Sequence, residues 1–326
     1  MKVKYILLIV LSFVLMPLFW SCKDDKPKGI EKEIILPKFE LSNKFVNILV
    51  DKSEIVDIKQ GEGDYKAFSL NDNIAKAEIT DNKVKITGLS SGETAIIVSD
   101  KQSRYLQIKV ISYYDKITAD KEALDLQMRL GETKTETIKI LKGNNGYVVT
   151  SENEDIATVT INNSTISVTG KKSGETKLTL KDAKGLEKTF TVKVATTTIP
   201  YTEKELEEIK AQIATCYIFN NDNPFKHGYE HTDIEYYNTV EEGMNFYGWA
   251  FYEDHYLKIK FSGDKNIGKK ENALLSYYFW DSWNTYEDQP ANFEIVKNDG
   301  ILIWAIYSFV ADDKLNYGYF IQKINP

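Results

Sequence analysis

The feature that most constrains this chain is an internal repeat. Asn73-Ile74-Ala75 returns as Asp155-Ile156-Ala157, and TGLSSGET at 87–94 returns as TGKKSGET at 169–176, both at an offset of 82 residues. The same offset carries Gly61 onto Gly143, Tyr65 onto Tyr147, Ile79 onto Ile161 and Asp100 onto Asp182. After Asp100 the matching letters slip, since YLQIKV at 105–110 answers to TFTVKV at 189–194, and the second copy reads there as two residues longer. A chain that repeats a unit of this size builds the same module twice in tandem.

Within each copy the apolar residues alternate, as in Val84-Lys85-Ile86 and Ile166-Ser167-Val168, then Leu178-Thr179-Leu180 and Phe190-Thr191-Val192. Period-two runs broken by Gly, Asn and Asp at intervals of about ten residues predict short antiparallel strands in a β-sandwich. Gly88, Gly170, Gly92 and Gly174 are expected at tight turns that need positive φ. The sequons within Asn162-Asn163-Ser164-Thr165 read as a turn. The succession of an IA strand, an ITG or VTG strand, the SGET segment, an Asp and a closing V-x-V strand resembles the bacterial Ig-like domains of group 2. That resemblance covers roughly 39 to 195 and implies stalk or adhesive modules.

The chain opens with Lys2 and Lys4, an apolar run from Tyr5 to Trp20, and the small residue Ser21 immediately before Cys22. This is the layout of a secretory signal peptide, with an apolar run short of the roughly 20 residues a spanning helix needs. The segment resembles a bacterial lipoprotein signal, which implies that Cys22 is lipidated and becomes the mature N-terminus. Several acyl chains would anchor the protein stably, where one alone binds marginally. Lys23-Asp24-Asp25 resembles the short surface-export signal of Bacteroidetes lipoproteins, implying an outer-membrane protein facing outward; a periplasm-facing orientation is the alternative.

These readings divide the chain into a signal peptide (1–21), a tether linker (22–32), a first Ig-like domain (33–115), a second (116–196), a Thr-rich linker (197–201) and a third domain (202–326). Four of the five tryptophans lie in the third domain. Thr202-x-x-Glu205 is a capping box, and Leu206, Ile209, Ile213 and Cys216 recur at helical spacing, so 202–215 is expected to be an amphipathic helix. Strand-like runs follow at 232–238, 244–252, 255–262, 274–280, 293–297, 301–310 and 316–324. ILIWAIYSFV at 301–310 is apolar on both faces and therefore has to be covered from both sides. The fold expected is mainly β, with two tandem sandwiches and an antiparallel β-rich α+β domain that carries one N-terminal helix.

Formal net charge is −7, and Arg occurs only at 104 and 129. Without clustered cations the chain is not expected to bind nucleic acid. With Cys22 acylated, Cys216 has no disulfide partner and is expected to be a buried thiol. The sharpest catalytic pattern is His227-Gly228-Tyr229-Glu230-His231, an HxxEH spacing that binds zinc only on a helix. Gly228 and the preceding Pro224 argue against a helix, and in extended chain the two imidazoles stand about 13 Å apart. No catalytic residues, metal or cofactor are expected. In SYYFWDSWNTYEDQ at 276–289, strand alternation cannot place every ring in the core, so Trp280, Asp281, Trp283 and Tyr286 are the candidate ligand-binding residues. These features together point to a lipid-anchored envelope binding or adhesion protein whose third domain contacts a glycan or protein. A tethered hydrolase, or an accessory subunit of an envelope assembly, is the competing reading.

Overall fold

The computed structural model describes residues 38–212, 216–221, 227–228, 234–251, 255–279 and 285–324. Cys22, Glu230, His231, Trp280, Asp281 and Trp283 lie outside the described residues, as do the side chains of Cys216 and His227.

The first repeat forms β1 (Glu40–Leu41), β2 (Phe45–Leu49), β3 (Ser53–Gln60), β4 (Lys66–Ser69), β5 (Ala75–Thr80), β6 (Lys83–Gly88), β7 (Gly92–Ser99) and β8 (Tyr105–Tyr113). The second forms β9 (Thr118–Ala119), β10 (Ala123–Arg129), β11 (Lys134–Lys142), β12 (Val148–Ser151), β13 (Ala157–Asn162), β14 (Thr165–Gly170), β15 (Gly174–Lys181) and β16 (Glu187–Thr197). Each unit is a sandwich of two four-stranded sheets. The first pairs β1-β3-β6-β5 with β2-β8-β7-β4, and the second repeats that order as β9-β11-β14-β13 and β10-β16-β15-β12. In both units the second and last strands run parallel while the other neighbours are antiparallel. These are tandem Ig-like sandwiches.

Alternation decides what each strand buries. Val84, Ile86, Ile96, Val98, Ile108 and Val110 fill the first interior, and Ile166, Val168, Leu178, Leu180, Phe190 and Val192 fill the second at the same offset. Each such side chain, fully buried, contributes about 1.5–3 kcal/mol. The offset persists through the last strand, because Asp100 N–H bonds Arg104 O and Asp182 N–H bonds Leu186 O, closing hairpins of equal length. The two-residue lengthening read from the letters is therefore absent. A slip of two residues leaves every side chain on its original face, so the alternation could not reveal it.

The glycines also differ from expectation. Gly92 and Gly174 do adopt φ of +154° and +153°. Gly88 and Gly170 instead end strands β6 and β14 at close approaches, where a Cβ would stand 2.7 Å from Ser112 Oγ and 3.1 Å from Leu126 Cδ1 respectively.

The third unit begins with α1 (Glu203–Ala211), whose Thr202 and Glu205 form the expected capping box. The helix ends at Gln212, short of the expected 215, and Cys216 opens a strand instead. The strands are β17 (Cys216–Asn220), β18 (His227–Gly228), β19 (Ile234–Glu241), β20 (Met244–Phe251) and β21 (His255–Ser262). They continue as β22 (Gly268–Phe279), β23 (Thr285–Pro290), β24 (Asn292–Asn298), β25 (Leu302–Ala311) and β26 (Lys314–Lys323). They make one sheet in the order β18-β17-β26-β25-β24-β22-β21-β20-β19, with β23 paired to β22. The sheet curls back on itself: Asn238 Nδ2 of β19 reaches Lys323 O, Gln322 Nε2 of β26 reaches Gly248 O, and the Tyr247 and Phe320 rings stack at 5.6 Å.

The doubly apolar run behaves as its pattern demands. Ile303, Ala305, Tyr307 and Phe309 face the inside of the curl with Tyr247, Phe261 and Phe293. Trp304 and Ile306 face the other way, under α1, with Ile209, Tyr201, Leu315 and Tyr317. Trp304 is 2% exposed, donates Nε1–H to Gln212 O, and carries Lys297 Nζ 3.8 Å above its ring. That tryptophan is structural.

Candidate binding site

Two places in the third domain bring functional chemistry together, one that mounts the domain and one that faces solvent. The mount centres on Arg129. Its Nη2 donates to both oxygens of Glu205 at 2.7 and 2.6 Å, its Nε donates to Pro200 O at 2.7 Å, and its guanidinium lies 4.9 Å from the Tyr317 ring centroid. A planar guanidinium that reaches a carboxylate through Nη2 and a backbone carbonyl through Nε while lying over a ring is an arrangement that lysine cannot reproduce. Glu205 also accepts the Thr202 N–H as part of the helix cap, so one carboxylate ties the second sandwich to the start of α1. Burial works to raise the Glu205 pKa, but the Thr202 N–H and the Arg129 guanidinium outweigh it and hold the carboxyl below its ordinary range. Tyr317 donates its hydroxyl to Glu132, and Leu315 N–H bonds Leu130 O across the same junction.

The outward site is built by β20, β21, β22 and β23. Leu257, Ile259 and Phe261 point into the curl, so alternation sends Tyr256, Lys258 and Lys260 outward, opposite Tyr278, Ser276 and Leu274 of β22. The Tyr256 and Tyr278 rings lie 5.9 Å apart. Lys258 Nζ sits 4.9 Å from the Tyr256 centroid, and Lys260 Nζ sits 5.6 Å from that of Phe246 on β20. The pairing of β22 with β23 shifts register between Leu275 and Tyr277, where Glu287 and Asp288 bulge opposite Ser276, and Asp288 takes φ +45° while donating its N–H to Ser276 Oγ. Bulges of this kind re-aim side chains and recur beside binding sites. Here Glu287 receives the Tyr256 hydroxyl at 2.5 Å. Burial, helped by that carboxylate, pushes the Tyr256 hydroxyl up to about 12, so it stays a protonated donor at physiological pH.

The resulting hollow holds about 390 Å³ and is lined by residues that include Glu241, Phe246, Tyr256, Lys258, Lys260, Glu287 and Asp288. It offers ring edges, ammonium donors and carboxylate acceptors side by side. Such a surface can hold a polar ligand by stacking and hydrogen bonding. Among the described residues no group of three or more His, Cys, Asp or Glu could hold a metal ion.

Of the residues singled out from the sequence, Tyr286 stands half-buried, with its ring 4.9 Å from Phe309 and 6.1 Å from Tyr277 at the margin of the inner core. Trp280, Asp281 and Trp283 fall between β22 and β23, outside the described residues. His227 and Gly228 form strand β18 against Tyr217 and Ile218, so the HxxEH run does not begin as a helix. Sequence reasoning missed Tyr256, Lys258 and Lys260. Their signal is YLKIKF at 256–261, whose alternation sets Tyr256, Lys258 and Lys260 on one face against Leu257, Ile259 and Phe261 on the other.

Neither a family model nor a curated protein matches the chain. Solved structures that align with it include domains 4 and 5 of the S-layer protein SbsC, at 23% identity over 40% of this chain and 77% of that one, with a TM-score of 0.22. A C-terminal fragment of intimin, solved with the intimin-binding domain of its translocated receptor, aligns at 16% identity over 56% and 66%, with a TM-score of 0.24. The Yersinia pseudotuberculosis adhesin InvE aligns at 10% identity over 65% and 66%, with a TM-score of 0.29. Superpositions this poor carry no argument, and the Ig-like assignment rests on the strand order of the two repeats themselves.

Proposed function

We propose that this chain is a lipid-anchored binding or adhesion protein of the bacterial outer membrane, displayed at the cell surface. Cys22 supplies the anchor, the two sandwiches act as a spacer, and the third domain contacts a glycan or protein ligand. The observation that carries this reading is the outward hollow of β20–β23, where rings and charges that could have been buried or separated are held together at the surface. Trp280, Asp281 and Trp283, which lie between β22 and β23 in the sequence, are proposed to contribute to the same contact, whereas Tyr286 packs against the inner core beside Phe309 and Tyr277.

Glycan and peptide arrays probed with the full-length protein in detergent test this directly. Tyr256→Ala and Lys260→Ala should each lower affinity for the ligand found by about 5- to 30-fold, as expected for a ring or cation at the centre of a contact. Their melting should stay close to that of the wild type. Unchanged affinity in both variants would exclude the hollow. The anchor has its own test: a fatty-acid analogue should label the wild type and miss Cys22→Ser.

A further inference from the structure

The sheet β2-β8-β7-β4 of the first sandwich turns one face to solvent, and the second sandwich presents the same face at the same strand positions. This makes the second copy an internal control for the first. Cross-strand pairing places Phe68, Ile97 and Gln107 in one row, with Tyr105 opposite Ser99 in the next. The equivalent positions in the second copy are Thr150, Thr179, Thr189 and Glu187. Ile111 likewise becomes Lys193, and Leu70 becomes Glu152. The fold therefore does not demand apolar residues here. Yet Phe45, Phe68, Leu70 and Tyr105 stand 42%, 54%, 64% and 74% exposed. In the sister domain Val148 and Ala123 stand at the positions of Lys66 and Phe45, but the cluster of Phe68, Leu70, Ile97 and Tyr105 is replaced there by threonine and charge, and an apolar cluster gathered on one solvent face marks a contact surface.

We propose that this face docks against the same face of a second copy of the chain, sheet on sheet. Its central charges, Lys109 and Glu93, already pair with each other at 3.0 Å, so the middle of an identical face meets it without unmatched like charges, and the remaining cation, Lys66, lies on the edge strand β4. A flat face with alternating apolar side chains fits the spacing of about 10 Å at which sheets pack. The geometry also follows from the tether, and in this respect the inference rests on the anchor at Cys22. The chain enters at Phe39, which stacks on Tyr65 beneath Arg104, at the Tyr105 end of the face. Copies held to one surface by that end meet with their strands running the same way, related by a twofold axis parallel to the strands. That axis sets β7 of each copy against β8 of the other, with Ile97 facing Gln107. Four strands about 4.8 Å apart and four side-chain rows give roughly 400–500 Å² per copy, below the ~800 Å² of a standard interface. The contact therefore depends on the high local concentration that a common membrane provides.

The test uses isolated envelopes from cells making full-length Ile97→Cys or Tyr105→Cys, treated with a short bifunctional thiol cross-linker. Thr179→Cys and Glu187→Cys serve as the matched positions of the second sandwich, and the wild type controls for Cys216. The first pair should give at least fivefold more product at twice the chain mass than the second pair. Equal yields, or cross-links to a protein of another mass, would overturn the proposal. Fatty-acid labelling of the same envelopes reads the anchor separately: labelled chains that do not cross-link sink the docking face alone, and unlabelled chains that do cross-link sink the anchor alone.

Discussion

The two sandwiches share eight strands in one order, yet the second has acquired two devices that the first lacks. Eight positions separate the core residues Ile48 and Val56 in the first copy, whereas twelve separate their counterparts Leu126 and Ile138. The four additional residues lengthen the end of β10, the turn and the start of β11, and this longer connection supplies Arg129, Leu130 and Glu132 to the junction with the third domain. Gly131 within it packs so close to Lys314 that a Cβ would stand 2.8 Å from the Lys314 Cα.

The second device concerns the equivalent buried aspartates. Asp100 is satisfied within its own sandwich by Arg104 and the Gln102 and Arg104 N–H groups. Asp182 instead holds Asn144, whose side-chain amide both donates to Tyr114 O and accepts Tyr114 N–H from the preceding sandwich. A repeated core is thus kept by packing, while the turns and the buried polar sites diverge according to what lies next door.

The largest expected effect tests the shared core. Val168→Asp and its counterpart Ile86→Asp each place a carboxylate in a fully buried position, which should cost on the order of 4 kcal/mol or more. Calorimetry should show only the transition of the altered sandwich lost or moved. If Val168→Asp leaves the melting profile intact, the equivalence of the two cores fails.

Next in size is the junction. Arg129→Ala removes an ion pair, a hydrogen bond and a cation–π contact, and should destabilise the docking of the third domain by about 2–3 kcal/mol. Arg129→Lys should recover only a minor part of this. Limited proteolysis within 197–202 should accelerate in both variants; an unchanged cleavage rate would show that the longer turn is not the mount.

A smaller difference separates the aspartate sites. Asn144→Ala should cost about 1–2 kcal/mol, because it strips both bonds to Tyr114 and one bond to buried Asp182. Glu62→Ala, at the equivalent position, should cost less than about 0.5 kcal/mol, since Glu62 gives Asp100 only its main-chain N–H. Equal losses in chemical denaturation would erase the asymmetry.

Much of this was legible before any coordinates. Alternation in Val84-Lys85-Ile86 and Ile166-Ser167-Val168 predicts which side chains are buried, and Thr202-x-x-Glu205 marks the helix start. What escaped the sequence has physical reasons. The register of β8 against β16 escapes the letters because a two-residue slip preserves faces. The end of α1 was overrun because Ile213 and Cys216 continue the helical spacing although the chain has turned. The outward hollow was overlooked because its rings sit in strands, where an aromatic residue signals packing as readily as contact. The two arginines were visible as rarities, but their partners, Asp100 four residues before Arg104 and Glu205 seventy-six after Arg129, follow from the fold alone.

The smallest effect concerns those two arginines. The Arg104 side chain, hydrogen-bonded to Asp100, holds its carboxyl below the usual carboxylate range against the opposing effect of burial, and Glu205 is lowered as described. A carboxyl whose pKa is depressed on folding contributes stability that is fully present above its unfolded value, about 3.9 for Asp and 4.3 for Glu, and is lost as pH falls through the folded value. The melting temperature should therefore be level from pH 8 to about 5 and decline only below about 4. Asp100→Asn should lower the melting of the first sandwich, and Glu205→Gln should weaken the junction. Both differences from the wild type should be largest at neutral pH and shrink towards pH 2–3, where the native carboxyls are themselves protonated. Scanning calorimetry across that range checks the sign. A deficit that stays constant down to pH 2 would mean that these side chains act by shape and hydrogen bonding, and that neither arginine is held by charge.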